Sequence, residues 1–190
     1  RFDLVTPNGT AAVDFPLNGR HNILNALAAA AAGYTFGMTA AEVAAALASV
    51  VPPPQRGEVL HFNNGFTVVN DSYNSNPAAL LSMVATLIEG GGSAKRKSVV
   101  AGEMLELGDD ERSIHRQVGE EIAGMGVDKL IGVRGLAEEL VAGARDAGLA
   151  DAEFAEDSDA AGSLLLDQIR EDDLVLVKGS RGVRTEKVIE

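Results

Sequence analysis

The stretch FTVVNDSYNSNP, residues 66–77, decides the fold of this chain. Residues 66–69 have the length and apolar character of a buried strand, and they follow an Asn-Asn-Gly turn at residues 63–65. Asn76 and Pro77 are typical of a helix start, because asparagine caps free N–H groups and proline fits the first helical position. The polar residues between them therefore follow a strand and precede the positive end of a helix dipole, where open α/β sheets bind ligands.

Strands and helices alternate along the chain from residue 57 onward. Short apolar runs predict strands, and longer runs with one apolar face predict helices. The predicted strands are residues 59–62, 66–69, 98–101, 130–133, 153–155 and 174–177, and the predicted helices are residues 77–89, 111–125, 136–147 and 159–170. This alternation favours an α/β fold with a mainly parallel sheet. The turn at residues 63–65 makes the strand over 59–62 an antiparallel edge strand.

The first fifty residues show a different pattern. Residues 2–5 and 12–17 predict an antiparallel hairpin with a primed turn around residues 7–9, and the chain begins abruptly with this hairpin, as expected for the tail of a longer domain. A helix is predicted over residues 21–32, ended by Gly33, and a capping box at residues 39–42 begins a second helix.

The sequence Val-Pro-Pro-Pro at residues 51–54 predicts a stiff, extended connector. We therefore expect two domains, residues 1–56 and 57–190.

Composition limits the classes of function. The chain has 190 residues, 46% of them hydrophobic, a formal net charge of −12 and no cysteine. The absence of cysteine excludes disulfides and thiolate metal sites, and the negative charge argues against a nucleic-acid partner. Because no apolar run is long enough to span a bilayer, we expect a cytoplasmic protein without a membrane partner. We identify no metal site.

Three groups of polar residues are candidates for binding. Asn22 and Asn25 lie three apart on one helix face, where two amides can recognise a base edge or simply cap the helix. Asp71, Tyr73, Asn74 and Asn76 either contact a ligand or serve their own loop, and Asn76 also suits an N-cap. Lys178, Ser180 and Arg181 follow the last strand and suit a carboxylate or phosphate, although a surface turn is equally compatible.

Two further elements are ambiguous. The carboxylates in residues 102–108 could position an ammonium group or solvate a loop, and His115 could face a cleft or the solvent. Neither a P-loop nor a dinucleotide-binding glycine fingerprint is present. A nucleoside triphosphate would therefore have to be held mostly by residues outside this chain.

Five segments together resemble the Mur ligase family, closest to its D-alanyl-D-alanine-adding branch. These are residues 19–26, Arg56, and residues 70–77, 102–108 and 178–181. The resemblance implies a Rossmann-like carboxyl-terminal domain, preceded by a hairpin and helical pair that remain from a truncated central ATPase domain.

The same resemblance implies an ATP-dependent and Mg²⁺-dependent amide ligase. Such an enzyme adds D-Ala-D-Ala to UDP-N-acetylmuramoyl-tripeptide through an acyl phosphate, for peptidoglycan synthesis. Its P-loop, its metal ligands and its other catalytic residues would lie upstream, in the amino-terminal and central domains of the same protein. The chain alone is therefore expected to be inactive and to bind no cofactor tightly.

The resemblance also implies roles for individual residues. It implies that the nucleotide contacts Asn22, Asn25, Arg56 and Asp71. It implies that the substrate contacts Tyr73, Asn74, Asn76, Lys178, Ser180 and Arg181.

Two alternatives stay open at this point. One is a ligase similar to folylpolyglutamate synthase, which shares the architecture but adds glutamate to folates. The other is a non-catalytic nucleotide-binding or response-regulator-like module, for which Asp71 and Lys178 supply part of the expected residue set.

Overall fold

A computed structural model describes residues 1–17, 19–51 and 53–190. The chain divides into two units, Arg1–Pro53 and Pro54–Glu190. The connector predicted over residues 51–54 includes Pro52, which lies outside the described residues.

The first unit is a hairpin with two helices. Its elements are strands β1 (Phe2–Thr6) and β2 (Gly9–Val13), which pair antiparallel, and helices α1 (Arg20–Thr35) and α2 (Ala40–Ala48). The predicted capping box is confirmed, because the Thr39 hydroxyl accepts from the Glu42 N–H while the Glu42 carboxylate accepts from the Thr39 N–H. A small core that includes Leu4, Val13 and Leu47 holds these elements together.

Three details of the first unit differ from the sequence predictions. The second strand occupies residues 9–13 rather than 12–17, and the turn is not primed. Neither Pro7 nor Asn8 has a positive φ. A primed turn needs a positive φ at its first central residue, and the ring of Pro7 fixes the φ there near −65°. Helix α1 also continues beyond Gly33. A Cβ there would lie 3.0 Å from the Met38 Sδ, so the glycine allows close packing rather than ending the helix.

The second unit has six strands and four helices. They are β3 (Glu58–His61), β4 (Thr67–Asp71), α3 (Pro77–Gly90), β5 (Arg96–Gly102), α4 (Glu111–Gly124), β6 (Lys129–Val133), α5 (Ala137–Asp146), β7 (Ala152–Ala155), α6 (Ser158–Gln168) and β8 (Asp173–Lys178), followed by a 3₁₀ turn (Thr185–Val188). The predicted α/β class is confirmed, and every predicted strand and helix of this region is present.

The strand order in the sheet is β3-β4-β8-β5-β6-β7. All neighbours pair parallel except β3 and β4, so the predicted antiparallel edge strand is confirmed. The last strand in sequence, β8, lies between β4 and β5. The five parallel strands therefore end at one side of the sheet, which we call the carboxyl edge.

Both faces of the sheet are covered. Helices α3, α4 and α5 pack on one face around buried residues such as Leu80, Ile122 and Leu140. Helix α6 and the segment after β8 cover the other face.

Helices α4 and α5 approach unusually closely at two glycines. A Cβ on Gly119 would lie 1.9 Å from the Leu140 carbonyl oxygen, and one on Gly143 would lie 2.1 Å from the Arg116 carbonyl oxygen. Neither position can accept a side chain without separating the helices.

Within the described residues, no helix is both long and apolar enough to cross a bilayer. In the same part of the chain, no group of three or more His, Asp or Glu side chains is placed to hold a metal ion.

Candidate ligand site at the carboxyl edge

Loops that follow β4, β5 and β8 line a cavity of about 290 Å³ that is open to solvent at the carboxyl edge. Four of the predicted site residues line it together, namely Tyr73, Asn74, Ser180 and Arg181. Leu105, Glu106 and Gly182 complete the lining. This volume is at the small end of the range for ligand pockets. The lining combines a cation, a carboxylate, a hydroxyl and an amide, which suits a small polar ligand.

Tyr73 forms one wall of the cavity. The Arg56 guanidinium lies 4.1 Å from the centre of its ring, and the Arg181 guanidinium lies 5.5 Å from the same point. Both distances are within the range of cation–π attraction. The Tyr73 backbone N–H also donates to the Gln55 carbonyl at 3.2 Å. The predicted cation Arg56 therefore belongs to the same local cluster as the loop after β4.

Lys178 lies at the end of β8, but its ammonium is not among the groups that line the cavity. The side chain is 4% exposed. Its Nζ donates to the Asp71 Oδ2 at 2.5 Å and to the Asn74 carbonyl at 2.8 Å. These contacts follow from the register, in which Asp71 on β4 pairs with Lys178 on β8. The family resemblance implies that Lys178 contacts the incoming substrate and that Asp71 contacts the nucleotide, and the structure pairs these two side chains with each other.

Asn76 is also not among the residues that line the cavity. Its Oδ1 accepts from the Ala79 N–H at 2.9 Å, so the side chain caps α3, as the Asn-Pro sequence predicted. The loop before it is held by its own polar groups, since the Asn70 Oδ1 accepts from the Ser72 hydroxyl at 2.7 Å. The loop after β4 thus contributes Tyr73 and Asn74 to the cavity and uses Asn76 for the helix.

The loop after β5 is anchored at three successive residues. The Glu103 Oε1 accepts from the Leu136 N–H at 2.8 Å at the start of α5. The Met104 N–H donates to the His115 Nε2 at 2.9 Å, and the Leu105 N–H donates to the Ser180 Oγ at 3.2 Å. Glu106 follows with φ of 65° and faces the cavity.

His115 is fully buried and belongs to this anchoring. Its Nδ1 lies 2.7 Å from the Glu111 carbonyl, to which it donates, while its Nε2 accepts from Met104. These partners assign the neutral ring with the proton on Nδ1. His115 therefore faces the interior, so both orientations expected from the sequence, toward a cleft and toward the solvent, are wrong. No sequence pattern linked this histidine to a backbone group eleven residues earlier.

Asn22 and Asn25 lie together on α1 in the first unit. The Asn25 Nδ2 donates to the Asn22 Oδ1 at 3.3 Å, as their spacing implies. Gly19 occupies the N-cap position of α1, so neither asparagine is the N-cap residue.

A second cavity of about 310 Å³ lies where β6 and β7 end. Several of the charged side chains that line this cavity already have partners within the protein. Asp157 caps α6 through the Ala160 N–H, and Lys187 pairs with Asp159 at 3.0 Å. The Arg134 side chain donates to the Gly182 carbonyl at 2.6 Å. None of Arg134, Asp157, Asp159 and Lys187 is predicted from the sequence as a binding residue.

Comparison with known proteins identifies the second unit. The family model described as "Mur ligase, glutamate ligase domain" matches residues 55–181. The chain is 35% identical over 190 residues to the UDP-N-acetylmuramoyl-tripeptide–D-alanyl-D-alanine ligase of Escherichia coli (strain K12), covering 99% of this chain and 40% of that relative. It is 31% identical over 182 residues to the enzyme of the same name from Bacillus subtilis (strain 168), covering 92% of this chain and 38% of that relative.

A solved structure gives the same result. MurF from Acinetobacter baumannii superimposes with a TM-score of 0.86 at 25% identity, covering 99% of this chain and 40% of that one. The chain therefore spans about two fifths of the length of the relatives it matches.

Proposed function

This chain belongs to the Mur ligase family, and on that basis we propose that it is the carboxyl-terminal part of an ATP-dependent amide ligase. The enzyme would add D-Ala-D-Ala to UDP-N-acetylmuramoyl-tripeptide in peptidoglycan precursor synthesis, a reaction of the cytoplasm. The names of the E. coli and B. subtilis relatives support this substrate pair. The observation that carries the proposal is the cavity that brings Tyr73, Asn74, Ser180 and Arg181 together at the carboxyl edge.

We assign residues 1–56 to the end of a central ATPase domain and residues 57–190 to the carboxyl-terminal domain. The P-loop, the Mg²⁺ ligands and the amino-terminal domain would precede residue 1, so this chain supplies no metal ligand in the proposal. The 190-residue chain alone is then inactive, because it lacks the groups that bind and activate the ATP phosphates.

We propose that the nucleotide contacts Asn22, Asn25, Arg56 and Asp71. The exposed Arg56 guanidinium over Tyr73 suits a phosphate, since arginine presents several donors in a fixed plane. Asp71 binds Lys178 through its Oδ2, which leaves its Oδ1 to accept from a ribose hydroxyl. The two asparagines offer amide donors and acceptors for a purine edge.

On the substrate side, the cavity would hold the incoming dipeptide. In the reaction the terminal carboxylate of the tripeptide would take the γ-phosphoryl group of ATP to become an acyl phosphate, and ADP would leave. The dipeptide ammonium would then lose a proton to solvent, and the resulting amine would form the new C–N bond while the C–O bond to phosphate breaks and inorganic phosphate leaves. Arg181 would bind the dipeptide carboxylate, and Ser180 and Asn74 would donate and accept hydrogen bonds along it. Lys178 would act indirectly by holding the Asn74 carbonyl. These residues contribute by positioning the amine and excluding water rather than by covalent chemistry.

The test joins this chain to its native upstream region and measures phosphate release with Mg²⁺-ATP. We expect release to require both D-Ala-D-Ala and UDP-N-acetylmuramoyl-tripeptide. A matched reaction with L-glutamate and a folate tests the folylpolyglutamate synthase alternative and should release no phosphate. Phosphate release that does not depend on the dipeptide would refute the proposed substrate.

A separate measurement tests the inactivity of the chain alone. Isothermal calorimetry of the 190-residue chain with ATP should show no binding at micromolar concentrations. A micromolar dissociation constant, equivalent to about −8 kcal/mol, would contradict the assignment of the P-loop and the Mg²⁺ ligands, which hold the ATP phosphates, to the upstream region.

A further inference from the structure

Glu106 stands out in the cavity because of its backbone conformation. Its φ of 65° lies in the left-handed region, which side chains other than glycine rarely adopt. Such conformations persist only where the surrounding structure imposes them, and they cluster at functional sites. A glycine here would adopt the same turn without strain, so the turn itself does not explain the glutamate.

The surrounding structure does impose this conformation. The two preceding backbone amides, those of Met104 and Leu105, donate to His115 and Ser180 respectively. Both acceptor residues are buried, and they come from two different elements of the fold. Ser180 itself lines the cavity. The loop after β5 is therefore fixed directly to the loop after β8 that carries Arg181.

The Glu106 carboxylate is exposed and has no hydrogen-bond or ion-pair partner among the described residues. Its neighbour Glu103 is different, because that side chain accepts from the Leu136 N–H. Asp71, the acid at the end of β4, is paired with Lys178, and Glu106 is the acid among the residues that line the cavity. Glu106 is thus the acid whose charge is left available to a ligand in a cavity that also presents the Arg181 guanidinium.

We propose that Glu106 binds the ammonium group of the incoming dipeptide while Arg181 binds its carboxylate. This inference rests on the proposed function and adds the group that recognises the reacting end of the substrate. A carboxylate and an ammonium form charge-assisted hydrogen bonds, which are stronger than those between neutral groups. A cavity with one acid and one cation in its walls selects a zwitterion over a simple amine or a simple acid. Glu106 is accordingly a positioning residue for the amine that forms the new bond.

The test uses the full-length ligase and Glu106→Gln, which keeps the shape of the side chain and removes its charge. We expect the KM for D-Ala-D-Ala to rise about 10- to 100-fold, the usual effect of losing a hydrogen bond to a charged group. The kcat and the KM values for ATP and for the UDP-linked tripeptide should change less than about threefold, because those substrates do not touch the Glu106 carboxylate.

A second variant separates binding from folding. Glu106→Gly removes the carboxylate and also relieves the left-handed strain, so its melting temperature should equal or exceed that of the unmodified protein while the dipeptide KM still rises. The matched control is Asp172→Gly, because Asp172 is another left-handed acid, with φ of 67°, next to the amino end of β8. Its dipeptide KM should equal that of the unmodified enzyme.

The outcomes distinguish the two proposals. If the unmodified full-length protein releases phosphate without D-Ala-D-Ala, both the proposed function and the role of Glu106 are overturned. If it requires the dipeptide but both Glu106 variants keep its KM, only the role of Glu106 is overturned. A rise of the ATP KM equal to that of the dipeptide KM would also overturn it, because the whole site rather than the ammonium contact would then have changed.

Discussion

The ion pair between Lys178 and Asp71 makes a quantitative prediction about the stability of the second unit. Lys178→Met keeps most of the side-chain volume but removes the ammonium that joins β8 to the loop after β4. The substitution leaves the Asp71 carboxylate, which is 16% exposed, without its partner. It also leaves the Asn74 carbonyl without the donor that lies 2.8 Å away.

The expected cost follows from these two losses. Breaking a buried ion pair from one side costs about 3–5 kcal/mol, and an unsatisfied carbonyl adds about 1 kcal/mol or more. Because Asp71 can recover part of its hydration at the surface, we expect Lys178→Met to lower the free energy of unfolding by about 3 kcal/mol in total. With an m-value of about 1.5–2 kcal/mol per molar urea, the unfolding midpoint falls by about 1.5–2 M.

The assay must report on the second unit alone, since two units need not unfold together. The chain has no tryptophan and two tyrosines, Tyr34 in the first unit and Tyr73 in the second. In a Tyr34→Phe background, tyrosine fluorescence therefore follows Tyr73, which lies in the loop next to the ion pair. Urea titrations of this background, with and without Lys178→Met, measure the change directly.

A double-mutant cycle identifies the cause. If the pair acts as a unit, Asp71→Asn alone costs about 2 kcal/mol, and the double variant costs about as much as Lys178→Met alone. Additive effects of the two substitutions, or a loss below about 1 kcal/mol for Lys178→Met, would refute the conclusion that the pair holds this edge of the sheet.

Three further predictions concern the rest of the fold. Gly119→Ala should lower the free energy of unfolding by about 3 kcal/mol in thermal denaturation, because its Cβ would lie 1.9 Å from the Leu140 carbonyl and the helices must separate; unchanged stability would contradict the close helix contact. The pKa of Glu153 lies below its ordinary value of 4.5, mainly because the Lys129 ammonium donates to it. Glu153→Gln should therefore be destabilising at neutral pH, and its difference from the unmodified chain should shrink as the pH falls below 4.5 through the folded-state pKa; a difference that is constant from pH 7 to pH 3 would exclude this contribution. Thr39→Ala should cost about 1 kcal/mol through loss of the capping box, measured by hydrogen exchange of the α2 amides, and full retention of their protection would exclude it.

Much of the fold follows from local chemistry. The helix start at Asn76 and Pro77 and the edge strand before residues 63–65 were predictable, because caps and tight turns depend on adjacent residues. The position of β8 between β4 and β5 was not, since pairing between distant strands leaves no local pattern. The continuation of α1 through Gly33 depends on contacts with Met38 and Val43, which also lie outside the helix.

In the candidate site, too, some features could be predicted from the sequence and others depend on contacts between distant residues. Tyr73, Asn74, Ser180 and Arg181 were predictable as neighbours because the carboxyl ends of parallel strands meet at one edge. Pairing of Lys178 with Asp71 required knowledge that β8 lies beside β4. The roles of Glu106 and His115 depend on a single φ angle and a buried hydrogen bond, which composition and spacing do not encode.

The central place of β8 has a consequence for synthesis of the protein. A nascent chain that has not yet emerged to residue 173 can pair β3 with β4 and can join β5, β6 and β7, but these two pieces have no strand to connect them. Each piece then presents a bare edge that can pair with another chain. The unit becomes complete only when this late segment leaves the ribosome and inserts between them, so truncation before residue 173 should yield aggregating protein rather than a smaller stable fold.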